Sequence, residues 1–291
     1  MNRRDFLFAG SIGLVGAALL ESTDTKPKKI STIKGPSYST QRLETLAEKG
    51  LPEEFRQAGF TLGDYVKRDS NKELLILAED HGTVDRNMQA RLLKHLVTNY
   101  GIDSLGVEGL ATDSKGLFFP VEKKDTHEFR FAYVGDVPNE RIDSLCEQFS
   151  KHHVDIPRYG IEDAALHMLI NYLTVASDLK KPAFLTGLSK LPELPKQLRE
   201  SDIPFDAEGN LLKTDAEIRF TANARNRAFA ENIISKDLNA IICGATHADV
   251  SDHVSYKNKL TVLQDHLHHS YLIVYCQESL KKGRENRIAQ R

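Results

Sequence analysis

The alternation of apolar and polar positions first organises the chain between residues 72 and 110. Leu74, Leu75, Ile76, Leu77 and Ala78 form an unbroken apolar run, the pattern of a short strand buried on both faces. Polar residues follow at once. Glu79, Asp80 and His81 lead to Gly82, which lets the backbone turn sharply. Met88, Leu92, Leu93, Leu96 and Val97 then recur at helical spacing and predict an amphipathic helix. Residues 105–107 are a second apolar run, with Glu108 at its end. A strand–helix–strand crossover makes the two strands parallel neighbours. Glu79, His81 and Glu108 are therefore expected side by side on the carboxyl rim of a sheet, where open α/β folds bind ligands.

The same rhythm continues downstream. Residues 139–152 predict a helix with Ile142, Leu145, Cys146 and Phe149 on one face. Residues 156–161 read as a short strand that delivers a third acid, Glu162, to the rim. Residues 163–179 predict a helix with Leu166, Leu169, Ile170 and Leu173 inward, and His167 and Met168 are read as packing residues. Residues 182–206 read as irregular, with Pro192, Pro195 and Pro204. Residues 213–236 predict one long helix, with Ile218, Ala222, Phe229, Ile233 and Ile234 on its apolar side. Residues 239–243 read as a strand, apolar after Asn239, and run into Gly244-Ala-Thr-His247, matching the lead Ala78-Glu-Asp-His81. Residues 271–276 are a last apolar strand. Strands alternating with helices predict an α/β fold, a mainly parallel sheet with helices on both faces. Residues 111–138 break the rhythm with Phe118, Phe119 and Pro120, then Phe129, Phe131 and Tyr133 in alternation. They predict an inserted hairpin at the sheet's edge or a lid over the rim. The expected organisation is a linker and short helix over 25–71, one α/β domain over 72–280, and a charged tail over 281–291.

Composition narrows the partners more than the fold. The 291 residues, 27% charged and 40% hydrophobic, suit one large α/β domain. A formal net charge of -2, with no basic tract and no finger-like Cys/His spacing, gives nucleic acid no support as a partner. Cys146, Cys243 and Cys276 are too sparse for a disulfide framework. Cys243 and Cys276 are expected as buried thiols, with a bridge between them as the alternative. At the N-terminus, Asn2-Arg-Arg-Asp-Phe-Leu7 and the apolar residues 8–20 resemble a twin-arginine export signal, and residues 1–24 are assigned to it. That resemblance implies the twin-arginine export machinery as a partner and a periplasmic protein, tethered to the membrane if the signal is uncleaved. Export in the folded state mildly favours a bound metal or haem.

Two histidines and two or three glutamates on one rim suggest hydrolysis, because neutral imidazole acts as a base near pH 7 and a carboxylate fixes its tautomer. Glu79, His81, Glu108 and His247 are the candidate catalytic residues. Two routes stay open. In one, His81, Glu108, Glu162 and His247 supply the ligands of a divalent metal that activates water, and Glu79 takes the proton. In the other, His81 activates water directly, oriented by Glu79 or Glu108. Arg225 and Asn226 are candidate substrate-binding residues, with a pairing of Arg225 to a rim glutamate as the alternative. The competing structural reading is capping: Glu79, Asp80, His81 and Thr83 all suit the start of a helix near Val84, and Asp163 suits the start of the next. His266, His268 and His269 mimic a metal cluster but precede the last strand, at the opposite edge of the sheet. They and His152-His153 are read as solvent-side residues.

Taken together, Ala78-Glu-Asp-His-Gly-Thr83, Glu108 after Ser-Leu-Gly-Val, Glu162 after Tyr-Gly-Ile, Arg225-Asn226 and Gly244-Ala-Thr-His247 resemble the TIKI/TraB superfamily. The resemblance covers residues 72–277. The group includes erythromycin-esterase-like hydrolases, ChaN-type haem-binding proteins and TIKI metalloproteases. Cleavage of an ester or peptide-like bond in a small-molecule or peptide substrate is what it implies, with Mn, Co or Zn in a metal-dependent member. The alternative it implies is a non-catalytic ChaN-like protein that binds haem or iron. No single branch is matched. His81-Gly-Thr83 resembles the esterases, Gly244-Ala-Thr-His247 the TraB branch, and Gln89-Ala-Arg-Leu-Leu93 the ChaN branch. Ala78 also stands where the first motif carries glycine.

Overall fold

The computed structural model describes residues 42–111, 117–123, 128–134, 140–175, 178–189, 196–248, 261–277 and 280. The expected export signal, most of the 25–71 linker's first half, the joins within the 111–138 insertion and the charged tail lie outside the described residues.

Five parallel strands and one antiparallel edge strand make the sheet. β2 (Glu73–Glu79), β3 (Leu105–Ala111), β6 (Arg158–Glu162), β7 (Ala240–Gly244) and β8 (Ser270–Tyr275) run parallel, and β1 (Thr61–Val66) pairs antiparallel with β8. Their order is β1-β8-β2-β7-β3-β6. Successive side chains point to opposite faces and both faces are covered, so β2 is apolar from Leu74 to Ala78. Leu75 and Leu77 join one buried cluster, with Leu92, Leu93 and Leu96 of α3 (Arg86–Tyr100) and Leu145 and Phe149 of α4 (Glu140–Lys151). Leu74, Ile76 and Ala78 join another on the opposite face, with Phe229 and Ile233 of α8 (Asn226–Lys236). A third cluster, built on Tyr172, Phe184, Ala216 and Phe220, belongs to α5 (Ala164–Val175), α6 (Lys181–Ser189), α7 (Lys213–Arg219) and the turn that follows α7. The α/β architecture is as its pattern predicts.

Several boundaries differ from the sequence expectation. The folded sheet begins ahead of residue 72. β1 adds an edge strand, while Leu43, Leu46 and Phe55 of α1 (Arg42–Lys49) and α2 (Glu53–Gln57) are buried in the main core. Within 182–206, α6 forms where an irregular segment is expected. Pro182 is the second residue of that helix, and a first-turn proline has no intrahelical hydrogen bond to lose. The inserted hairpin exists as β4 (Leu117–Lys123) and β5 (Glu128–Val134), but it forms its own two-stranded ladder beside α5 and does not extend the main sheet. The long helix of 213–236 is interrupted: α7 passes into a π-helical turn at Phe220–Arg225 before α8 begins. Cys243 and Cys276 are buried free thiols.

Candidate active site

Parallel pairing brings the two histidine turns together. β2 and β7 are in register, with Ala78 opposite Cys243 and Glu79 opposite Gly244. The Glu79-Asp80-His81 turn and α9 (Ala245–Ala248), which carries His247, therefore leave adjacent strands at one level. Glu108 joins them through a β-bulge. The β3–β6 register slips between Val107 and Ala111, where Gly109 has φ 85°. Bulges commonly re-aim a side chain beside a functional site.

Capping accounts for Asp163, which accepts from the Leu166 amide at 2.9 Å at the start of α5, but not for Glu79. Asp85 is the N-cap of α3, accepting from the Met88 amide at 3.0 Å. Asp80 closes its own turn by accepting from the Gly82 amide and the Thr83 hydroxyl. Glu79 is left to face His81: His81 Nδ1 lies 2.7 Å from Glu79 Oε1. The other oxygen, Oε2, accepts from Arg86 Nη1 at 2.5 Å and Gln89 Nε2 at 2.6 Å. Glu79 is 1% exposed, whereas the His81 side chain is 36% exposed. A buried carboxylate clamped on one oxygen thus orients a partly exposed ring, and the Nδ1–H tautomer leaves Nε2 as the acceptor, on the side that faces Glu108.

Glu108 is the hub of the cluster. Its Oε2 accepts from the Gly244 amide at 2.5 Å and lies 3.4 Å from His81 Nε2. Its Oε1 accepts from Arg225 Nη2 at 2.8 Å and lies 3.4 Å from His247 Nε2. Burial alone would raise the Glu108 pKa, but His247 and Arg225 outweigh it and hold the carboxyl well below the usual carboxylate range. Arg225 also donates from Nε and Nη2 to Glu162, at 2.9 and 2.6 Å. Burial alone would lower the Arg225 pKa; Glu162 and then Glu108 reverse this and raise it. Glu79, Glu108 and Glu162 bring three negative charges and Arg86 and Arg225 bring two positive ones. One negative charge remains when the imidazoles are neutral.

All seven residues singled out from the sequence meet in this network, but not all in the expected role. Arg225 and Asn226 are 9% and 0% exposed, and the groups expected at a substrate hold protein partners. Asn226 Nδ2 donates to the carbonyls of Ala222 and Thr261, at 2.6 and 2.9 Å. Its oxygen therefore accepts from His247 Nδ1–H, at 2.7 Å. His247 is itself 1% exposed and packs on Phe229, with ring centroids 4.7 Å apart. His167, expected as packing, lies 3.9 Å from Glu162, and burial holds it below the usual histidine range although Glu162 opposes the shift. Arg86 and Gln89 were missed as site residues. Gln89 shares the inward stripe with Leu92, Leu93 and Leu96, and a glutamine on a buried stripe needs a polar partner.

The expected metal ligands fit a metal poorly in this arrangement. Both carboxylates, Glu108 and Glu162, are bridged by the Arg225 guanidinium, which occupies the place of a counter-cation. Among the described residues no group of three or more His, Cys, Asp and Glu side chains is arranged to hold a metal ion. No family model, curated protein or solved structure matches the chain, so the resemblance drawn from its motifs stands alone.

Proposed function

We propose that this chain is a hydrolase of an ester or peptide-like bond in which His81 activates water without a metal. The observation that carries this reading is the Glu79–His81 pair: a buried, doubly clamped carboxylate on Nδ1 of the most exposed member of the cluster. Glu79 holds the imidazole with its Nδ1 proton, so Nε2 takes the proton from water. Glu108 Oε2, 3.4 Å from Nε2, offsets the positive charge that the ring acquires. The excess negative charge of the cluster acts in the same direction. Arg225 keeps Glu108 ionised for that task, and Gly244 leaves the space in which it happens. A Cβ at Gly244 would lie 3.2 Å from His81 Nε2 and 3.5 Å from Glu108 Oε2.

The resemblance to erythromycin-esterase-like hydrolases supports the same route. The metal-activated alternative requires Arg225 to release both carboxylates. The twin-arginine-like signal makes the periplasm the proposed place of action. A panel of nitrophenyl esters and short peptides, assayed after dialysis against EDTA, tests the route. Turnover that survives chelation supports direct activation by His81, and turnover restored only by Mn, Co or Zn overturns it.

A further inference from the structure

The two edges of the sheet differ. β1 is irregular: its pairing with β8 shifts between Leu62 and Tyr65, and Asp64 is exposed there. A bulge and a charge blunt an edge against further strands. β6, at the other edge, keeps an unbroken register with β3 from Arg158 to Gly160. The ladder fixes which of its peptide groups are spare. The Leu105 amide donates to the Pro157 carbonyl at 3.0 Å, and in a parallel pair alternate residues then bond the neighbouring strand. Residues 157, 159 and 161 face β3. The N–H and C=O groups of Arg158 and Gly160 face outward, and among the described residues nothing pairs with them.

These groups are within reach of a partner. Arg158 and Tyr159 are exposed, the latter by 38%, and Gly160 is partly exposed. Arg158 lies over the Phe149 ring, 5.8 Å from its centroid, and makes no ion pair among the described residues. An open edge with spare donors and acceptors fits a chain in extended conformation. Cross-strand pairing favours a carboxylate beside Arg158 and a β-branched residue beside Tyr159. The edge also leads to the rim. β6 ends at Glu162, inside the cluster, and β2, which delivers His81, lies three strands away. Three strand spacings are about 14 Å, the span of about four extended residues.

We propose that β6 takes up an extended, acidic peptide as an added strand. That this peptide is the substrate, cut about four residues beyond the docked stretch, rests on the hydrolase reading above; the docking does not.

The test is an NMR titration of the isotopically labelled chain with the pentapeptide acetyl-Thr-Val-Glu-Val-Thr-amide, read by amide shifts and hydrogen exchange, which need no turnover. The amides of Arg158 and Gly160 shift saturably and gain protection. The fully N-methylated peptide, which has no N–H to pair, does not bind, and lysine in place of the glutamate weakens binding about threefold. Gly160→Pro removes an outward N–H that the β3 ladder does not use, so binding is lost while the Leu105 amide keeps its protection. Unchanged exchange at Arg158 and Gly160 under excess peptide, binding of the N-methylated peptide, or native affinity in Gly160→Pro would overturn the proposal. So would protection of those amides that grows with protein concentration alone, which puts a second copy on the edge. Docking without cleavage supports the proposal and removes only the reading of that peptide as substrate.

Discussion

Replacing Arg225 with methionine probes the cluster without knowledge of a substrate. The substitution keeps most of the buried chain length and removes the donors that reach Glu108 at 2.8 Å and Glu162 at 2.9 and 2.6 Å. Both carboxylates are then buried with no guanidinium between them. Breaking a buried ion pair from one side costs about 3–5 kcal/mol, a large share of an ordinary domain's stability. The pH dependence is the sharper part. In the native chain the Glu108 pKa is depressed, so its contribution is complete above the unfolded value near about 4.3 and is lost as pH falls through the folded value. Between about pH 7.5 and 5.5 this group leaves native stability flat. In Arg225→Met the sign reverses. With Arg225 gone, burial is opposed by His247 and His81 alone and moves the carboxyl pKa upward, so folding takes up a proton. Stability then rises as pH falls, by about 1.4 kcal/mol per pH unit for one carboxylate. Urea denaturation followed by circular dichroism at the two pH values reads this directly. Adding Glu162→Gln to Arg225→Met removes one of the two stranded charges and recovers part of the loss at neutral pH. An Arg225→Met variant with native stability, or with the native pH slope, would refute the charge arrangement.

Gly244→Ala places a methyl 3.2 Å from His81 Nε2, so the ring must move by a few tenths of an ångström. Steady-state kinetics should show about a tenfold loss of turnover with little change in melting temperature. Gln89→Leu removes a donor to the buried Oε2 of Glu79 and should lower stability by about 1–3 kcal/mol in urea titrations. Asp85→Ala removes the α3 N-cap and should cost about 1 kcal/mol while leaving turnover unchanged.

The rim was legible because strand ends announce themselves. The apolar run 74–78 stops at Glu79, and the run 240–243 stops at Gly244, so parallel pairing alone sets both histidine turns at one edge. Which partner each acid takes was not legible, since Glu79 meets Gln89 through the return of a helix and Glu108 meets Arg225 across 117 positions. The π-turn leaves no mark in residue types. Residues 220–225 keep ordinary helical periodicity while the hydrogen bonds shift, and such turns often occur at functional sites. β1 was hidden for a different reason. It is a half-buried edge strand interrupted by Gly63 and Asp64, and Gly63 is needed where the Tyr275 ring approaches to 3.2 Å of a Cβ position. Its alternation is too weak to read without its partner β8.

The central claim is that His81 is the base, and chemical rescue tests it most directly. His81→Ala removes a side chain that is 36% exposed, so small bases can enter the space it leaves. Ester hydrolysis by this variant, measured after dialysis against EDTA, should fall about 10²–10⁴-fold and recover saturably with added imidazole. His81→Ala turning over at the native rate would contradict the account.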